Sequence, residues 1–259
     1  MFKMPEKITY ALPEQIGNTD LFVGRKKEFD FFLGVWYNRL IGNIAQSQAI
    51  VARRKKGKTA FLQRLFNILW SSPTSGVIPF YYVIQDRPLT LAAFAEDFYT
   101  HFMGQYLSFR DRREDYLSFP ICFEKLAPLV EGDRYLKDAY ETMVIKKQED
   151  DWDGMWNLAS RLPAALATVK KKKIVQIIDE FQNINAYIYD YRGERIDPLS
   201  GTYLDLAEKK EAPLIISGSE VHGLLEIVRR LTARFEENVL ENLPEEEAKE
   251  AIWKYAEIF

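Results

Sequence analysis

One eight-residue segment constrains this chain more than any other: Ala52-Arg53-Arg54-Lys55-Lys56-Gly57-Lys58-Thr59. It follows the short β-rich run Gln48 to Ala52 (QAIVA) and leads into AFLQRLFNILW, whose apolar spacing predicts a helix over Thr59 to Trp70. A loop joining a buried strand to a helix can turn its backbone N–H groups inward, and the helix N-terminus adds positive potential, so phosphate oxygens suit it. Gly57 then permits close approach, Lys58 reaches the terminal phosphates and Thr59 offers a hydroxyl to Mg2+, with Arg54, Lys55, Lys56 and Ala60 completing the expected contacts. The usual pattern begins with glycine, so a positive φ demanded at Ala52 would be met less comfortably. Four consecutive basic residues, Arg53 to Lys56, favour occupation by an anion. The bland alternative is a solvated basic turn with Gly-Lys-Thr a coincidence.

Two further strand ends carry chemistry. The apolar run Ile174 to Asp179 (IVQIID) stops at the adjacent carboxylates Asp179 and Glu180. Ligands sit at strand C-termini in open parallel sheets, and two neighbouring acids allow Asp179 to enter the Mg2+ shell while Glu180 orients or deprotonates an attacking water. Pro213 to Ser217 (PLIIS) is followed by Gly218 and Ser219; a hydroxyl there would lie beside the γ-phosphate, and Ser217 is favoured over Ser219. Solvated acids and an ordinary Ser-Gly turn are the competing readings.

Two more strands are expected at Val77 to Gln85 and, more weakly, Glu237 to Leu240, with helices over Lys26 to Leu40, Leu91 to Tyr106, Asp151 to Val169, Leu204 to Glu211, Val221 to Leu231 and Pro244 to Phe259. This alternation predicts an α/β fold with a parallel sheet. The interval between the second and third strands exceeds what one crossover needs, which predicts a helical insertion at about 87–150. The whole divides into a core over 1–243 and a further helix over 244–259.

Composition excludes several classes. With a net charge of -3 the chain has no global attraction to nucleic acid or anionic lipid, although local basic patches can still dock phosphates. Cys122 is the only cysteine and His101 and His222 the only histidines, so an intrachain disulfide, cysteine-based zinc clusters and imidazole clusters are ruled out and a reducing cytoplasm is expected. No apolar run approaches the ~18 residues of a membrane span, and Pro5 and Glu6 stand where a secretory signal would be apolar. Trp36, Trp70, Trp152, Trp156 and Trp253 are read as core or interface packing.

Taken together, Phe22-Val23-Gly24-Arg25 with Glu28, the loop ending Gly57-Lys58-Thr59, the Asp179-Glu180 pair and the IISGS strand end resemble the AAA+ and STAND branch of P-loop NTPases, and more narrowly the archaeal-type ATPase family. The resemblance spans about residues 20 to 250 and is strong only at these places. It implies a three-layer sandwich with sheet order 5-1-4-3-2, ATP and Mg2+ as ligands, and Val23, Gly24 and Arg25 close to the adenine. It also implies a basic residue within Val228 to Phe235 that touches the γ-phosphate, in cis or from a neighbouring subunit; Arg234 is preferred to Arg229 and Arg230. Family members continue into a helical lid and usually a further domain, so 244–259 reads as the start of a lid, which predicts under-packed Ile252, Trp253, Tyr255 and Phe259 open to self-association or a protein partner. The leading expectation is an ATPase. Its rivals are a nucleotide switch without appreciable turnover, a P-loop small-molecule kinase, and a protein that docks nucleic-acid phosphates through Arg53 to Lys58.

Overall fold

The computed structural model describes residues 2–118, 121–231 and 234–258, apart from the side chains of Ser118 and Ile258. Five strands form its main sheet: β1 (Ser47–Val51), β2 (Val77–Val83), β3 (Lys173–Asp179), β4 (Leu214–Gly218) and β5 (Phe235–Val239). All pairings are parallel: β1 lies between β4 and β5, β4 pairs with β3, and β3 with β2. Numbered in this way, the order across the sheet is 5-1-4-3-2. Each strand falls on the run marked by its sequence.

The longer helices are α1, whose α-helical turns Lys26–Asp30 and Tyr37–Ile41 enclose a π segment at Phe31–Trp36, then α2 (Lys58–Trp70), α3 (Leu91–Asp111), α4 (Arg134–Gln148), α5 (Trp152–Lys170), α6 (Val221–Arg230) and α7 (Glu245–Ile258). Successive strand side chains point to opposite faces. Ala49, Phe80, Ile178 and Ile216 therefore join one core with α3 and α5, while Ile50, Tyr81, Ile177 and Ile215 join a second with α1 and α2. Burial on both faces is why these strands read as nearly continuous apolar runs.

The insertion shares the first core. Leu136, Ala139 and Met143 of α4 belong to the same apolar cluster as Ile174 and Ile216. The sequence reading missed α4, although its start is marked by Asp133, whose carboxylate accepts from the N–H groups of Tyr135 and Leu136. Gln105 of α3 covers the outer edge of β2, accepting from Tyr81 N and donating to Tyr81 O, both at 2.7 Å. The helix expected over Leu204 to Glu211 contracts to one α turn, Tyr203–Leu206. Tyr203, Leu206 and Ala207 are buried, whereas the following Glu-Lys-Lys-Glu has no apolar side chain to bury. Trp36, Trp70 and Trp156 are core residues as expected, and Trp253, 70% exposed on α7, is under-packed as expected of that helix.

Candidate functional site

Because the strands are parallel, the C-terminal ends of β1, β3 and β4 lie together at one edge of the sheet. The chain leaves β1 through the basic loop and enters α2 at Gly57, which has φ 73° and offers no side-chain cap. The N–H groups of the first turn of α2 are thus left to a ligand, as a phosphate cradle requires. The strain expected at Ala52 does not arise: positive φ falls on Lys55 (66°) and Gly57, and Ala52 is buried at the strand end. A lysine can adopt that left-handed conformation at modest cost, so the missing first glycine leaves the loop intact.

Lys58 and Thr59 open α2 and meet β3. The buried Lys58 ammonium bonds to Asp179 Oδ1, lies 3.1 Å from Glu180 Oε1 and approaches Ser217 Oγ at 3.4 Å. Thr59 Oγ1 donates to Asp179 Oδ2 at 2.8 Å, and Ser217 Oγ donates to Asp179 Oδ1 at 2.6 Å. Asp179 is 1% exposed; a carboxylate so deep is tolerable only with such partners. Residues far apart in the chain thus converge on one carboxylate. Burial, reinforced by the Asp179 charge, holds the neighbouring Tyr81 phenol well above its usual pKa.

Glu180 leaves the strand in the left-handed conformation, φ 53°. Its Oε2 accepts from Gln182 Nε2 at 2.7 Å, Ser219 N at 3.0 Å and Ser219 Oγ at 2.8 Å. Burial alone would raise its pKa, but hydrogen bonds from Gln182 and the Ser219 amide, followed by the Lys58 charge, prevail and bring it to about 2. The two serines divide the acids between them, Ser217 on Asp179 and Ser219 on Glu180. Sequence reasoning ranked Ser219 second and gave Gln182 no role; only the adjacency of β3 and β4 reveals that pair.

A cavity of about 540 Å³ is lined by the loop from Arg53 to Ala60 together with Glu180 and Ser219. Beside it a cleft of about 470 Å³ shares Lys55, Lys56, Gly57 and Ala60 and is walled by Phe22, Val23, Leu243 and Tyr255. Basic and polar residues make up most of the first lining and apolar residues most of the second, a division suited to a polyphosphate and a base. Arg25 sends its guanidinium to the Lys56 carbonyl and to Glu28 at 3.1 Å, bracing the loop. Gly24 lies instead against α7: with φ 79°, an added Cβ would stand 2.4 Å from Glu247 Oε2. Glu247 in turn accepts from Arg25 N at 2.7 Å and Lys26 N at 3.3 Å, capping α1 from the far end of the chain.

Arg234 lies away from the loop. It immediately precedes β5, where Phe235 pairs with Ser47 at the start of β1, and its Nε donates to Glu208 at 2.7 Å. This is the edge opposite the loop, about 15 Å away along a five-residue strand. Arg229 and Arg230, at the end of the helix returning from the loop edge, share that location, and Thr232 and Ala233 of the same segment lie outside the described residues. Contact with a phosphate in cis is therefore excluded for Arg234.

No cluster of three or more His, Cys, Asp or Glu among the described residues could hold a metal unaided. The Thr59 hydroxyl and Asp179 carboxylate, 2.8 Å apart beside the cradle, do fit Mg2+, which takes few protein oxygens and completes its shell with phosphate and water. Among the described residues no helix is long and apolar enough to cross a membrane.

No family model matches the sequence, and no curated protein does. Among solved structures, the Walker-type ATPase of Pyrococcus abyssi superposes with a TM-score of 0.54 at 12% identity, over 96% of this chain and 63% of that one. The ORC2 protein of Aeropyrum pernix is matched in its ADPNP–ADP complexes (TM-score 0.46, 15% identity, 97% of this chain and 56% of that one) and its ADP form (0.48, 16%, 98% and 55%). The chain thus spans less than two-thirds of each neighbour's length. Strand order and the Pyrococcus likeness show the fold: a parallel five-stranded α/β sandwich like that of the Walker-type ATPase. One of its structural neighbours is thus a Walker-type ATPase, of the kind the sequence motifs resemble.

Proposed function

We propose that this protein binds Mg-ATP and hydrolyses it. The observation that carries the reading is the convergence of Lys58 and Thr59 on Asp179 at the mouth of an uncapped helix, with Glu180 beside them. The loop amides and Lys58 bind the β- and γ-phosphates, Lys58 turning from the two carboxylates to the phosphate oxygens. The apolar cleft beside Val23 takes the base. Thr59 and Asp179 would hold Mg2+, which would supply charge neutralisation for the β- and γ-phosphates. Ser217 keeps Asp179 oriented. Glu180 accepts a hydrogen bond from the attacking water and aligns it with the γ-phosphorus; the new O–P bond replaces the one to ADP, and the proton departs with the product phosphate.

On this reading turnover alters the relation between the core and α7, whose Glu247 reaches the Arg25 corner and through it the Lys56 carbonyl. Ile252 and Trp253, 68% and 70% exposed on α7, suit a protein partner or a second copy, as does Tyr255 at 43%. Phe259 lies outside the described residues.

Phosphate release under single-turnover conditions, from the native chain and from Glu180→Gln, tests the reading. Release by the native chain and at least about a hundredfold less by the variant is expected. ATP binding without release from either protein identifies a switch instead. Failure of Mg-ATP to displace nucleic acid bound at Arg53 to Lys58 would assign the loop to nucleic-acid phosphates.

A further inference from the structure

We infer that Gln182, together with Ser219, is a positioning residue that anchors one oxygen of Glu180 and thereby aims the other at the attacking water. This deepens the hydrolase reading and rests on it. The two oxygens of Glu180 are held differently. Oε2 has three donors, all from fixed parts of the fold: Gln182 Nε2 just after β3, and the amide and hydroxyl of Ser219 just after β4. Oε1 has one, the Lys58 ammonium at 3.1 Å. Lys58 is the side chain that phosphate oxygens would claim. Once it turns to them, Oε1 is left as the open acceptor on the cavity wall, and the anchor at Oε2 keeps the carboxylate from rotating away.

The surroundings of Gln182 point the same way. Its side chain is 9% exposed, and its Oε1 has no hydrogen-bond partner. Packing alone gives no reason for a buried amide with an unpaired acceptor, because such an acceptor costs free energy. Its Nε2 bond to Glu180 does, and the amide has this orientation because the flipped one would set oxygen against carboxylate oxygen. Gly218 provides the space: an added Cβ would stand 2.2 Å from Gln182 Oε1. Finally, Glu180 holds a left-handed backbone conformation unusual for a non-glycine residue, which persists where surrounding contacts over-determine it.

The test uses the full chain with Mg-ATP and compares Gln182→Leu, which removes the donor, with Gly218→Ala, which keeps glutamine but displaces it. Both are expected to lower kcat about tenfold or more while ATP affinity stays within about twofold, the signature of an interaction made in the reacting complex. In a Glu180→Gln background neither change lowers the residual single-turnover rate further. An unaltered kcat in both variants overturns the proposal, as does a loss of equal size in the Glu180→Gln background, which would mark a structural role. A native chain that neither binds nor hydrolyses ATP overturns the hydrolase reading together with this one; a native chain that hydrolyses as expected, with Gln182→Leu keeping pace, overturns this one alone.

Discussion

The two edges of the main sheet use buried polar groups in opposite ways. At the N-terminal edge Ser47 and Gln176 satisfy nearby backbone: Ser47 Oγ donates to Ala207 O at 2.8 Å and accepts from Leu214 N at 3.1 Å, and Gln176 Nε2 donates to Ala212 O at 2.9 Å. These groups are neutral and their contacts tie a connection to a strand. At the C-terminal edge Lys58, Thr59, Asp179, Glu180 and Ser217 bond chiefly to one another. They are mostly charged and lie beside an open basic loop. Polar burial that only closes the backbone supports the fold; polar burial that concentrates charge at an opening equips a site.

The comparison predicts that substitutions at the two edges separate activity from stability. Asp179→Ala should have the largest effect, abolishing Mg2+-dependent phosphate release and, by leaving the buried Lys58 ammonium only Glu180 as a carboxylate partner and Thr59 and Ser217 without their acceptor, costing about 2 to 3 kcal/mol in denaturant unfolding. Retained release would break the contrast. Ser47→Ala at the opposite edge should cost about 1 to 2 kcal/mol, through the unpaired Ala207 and Leu214 groups, with no change in turnover per folded molecule.

Asp133, which caps α4 and bonds Lys170 at the end of α5 at 2.6 Å, sharpens the stability side. Burial opposes its charge, but the Lys170 hydrogen bond and the Leu136 amide prevail and hold the carboxyl below the usual aspartate range. A depressed folded-state pKa stabilises above the unfolded value and ceases to do so as pH falls through the folded one. Asp133→Asn should therefore lose about 1 kcal/mol at neutral pH, with the gap to the native chain narrowing only below about pH 4; a gap constant down to pH 2 would refute this. The smallest effect is expected from Arg234→Ala, a half-buried arginine whose partner Glu208 is largely exposed: about 1 kcal/mol or less in stability, and unchanged turnover in dilute monomer.

How much of this was legible in the sequence depended on whether a feature was local. The loop, the strand ends and the acid pair each occupy a contiguous stretch, and a buried parallel strand announces itself by an unbroken apolar run. Gln182 and Ser219 meet only because β3 neighbours β4, and Glu247 caps α1 across nearly the whole chain, so neither was visible in local pattern. Arg234 differs again: a residue just before a parallel strand lies at the edge away from the site, which leaves it only the neighbouring-subunit alternative of the resemblance. The helix α4 was missed because its apolar face is short, Leu136, Ala139 and Met143, within a charged surround.

Equilibrium binding of Mg-ATP to the native chain and to Lys58→Ala goes most directly to the claim that loop and acids share one ligand. Saturable binding at a single site, weakened at least about a hundredfold in the variant, is predicted. Equal affinity in the two proteins would contradict it.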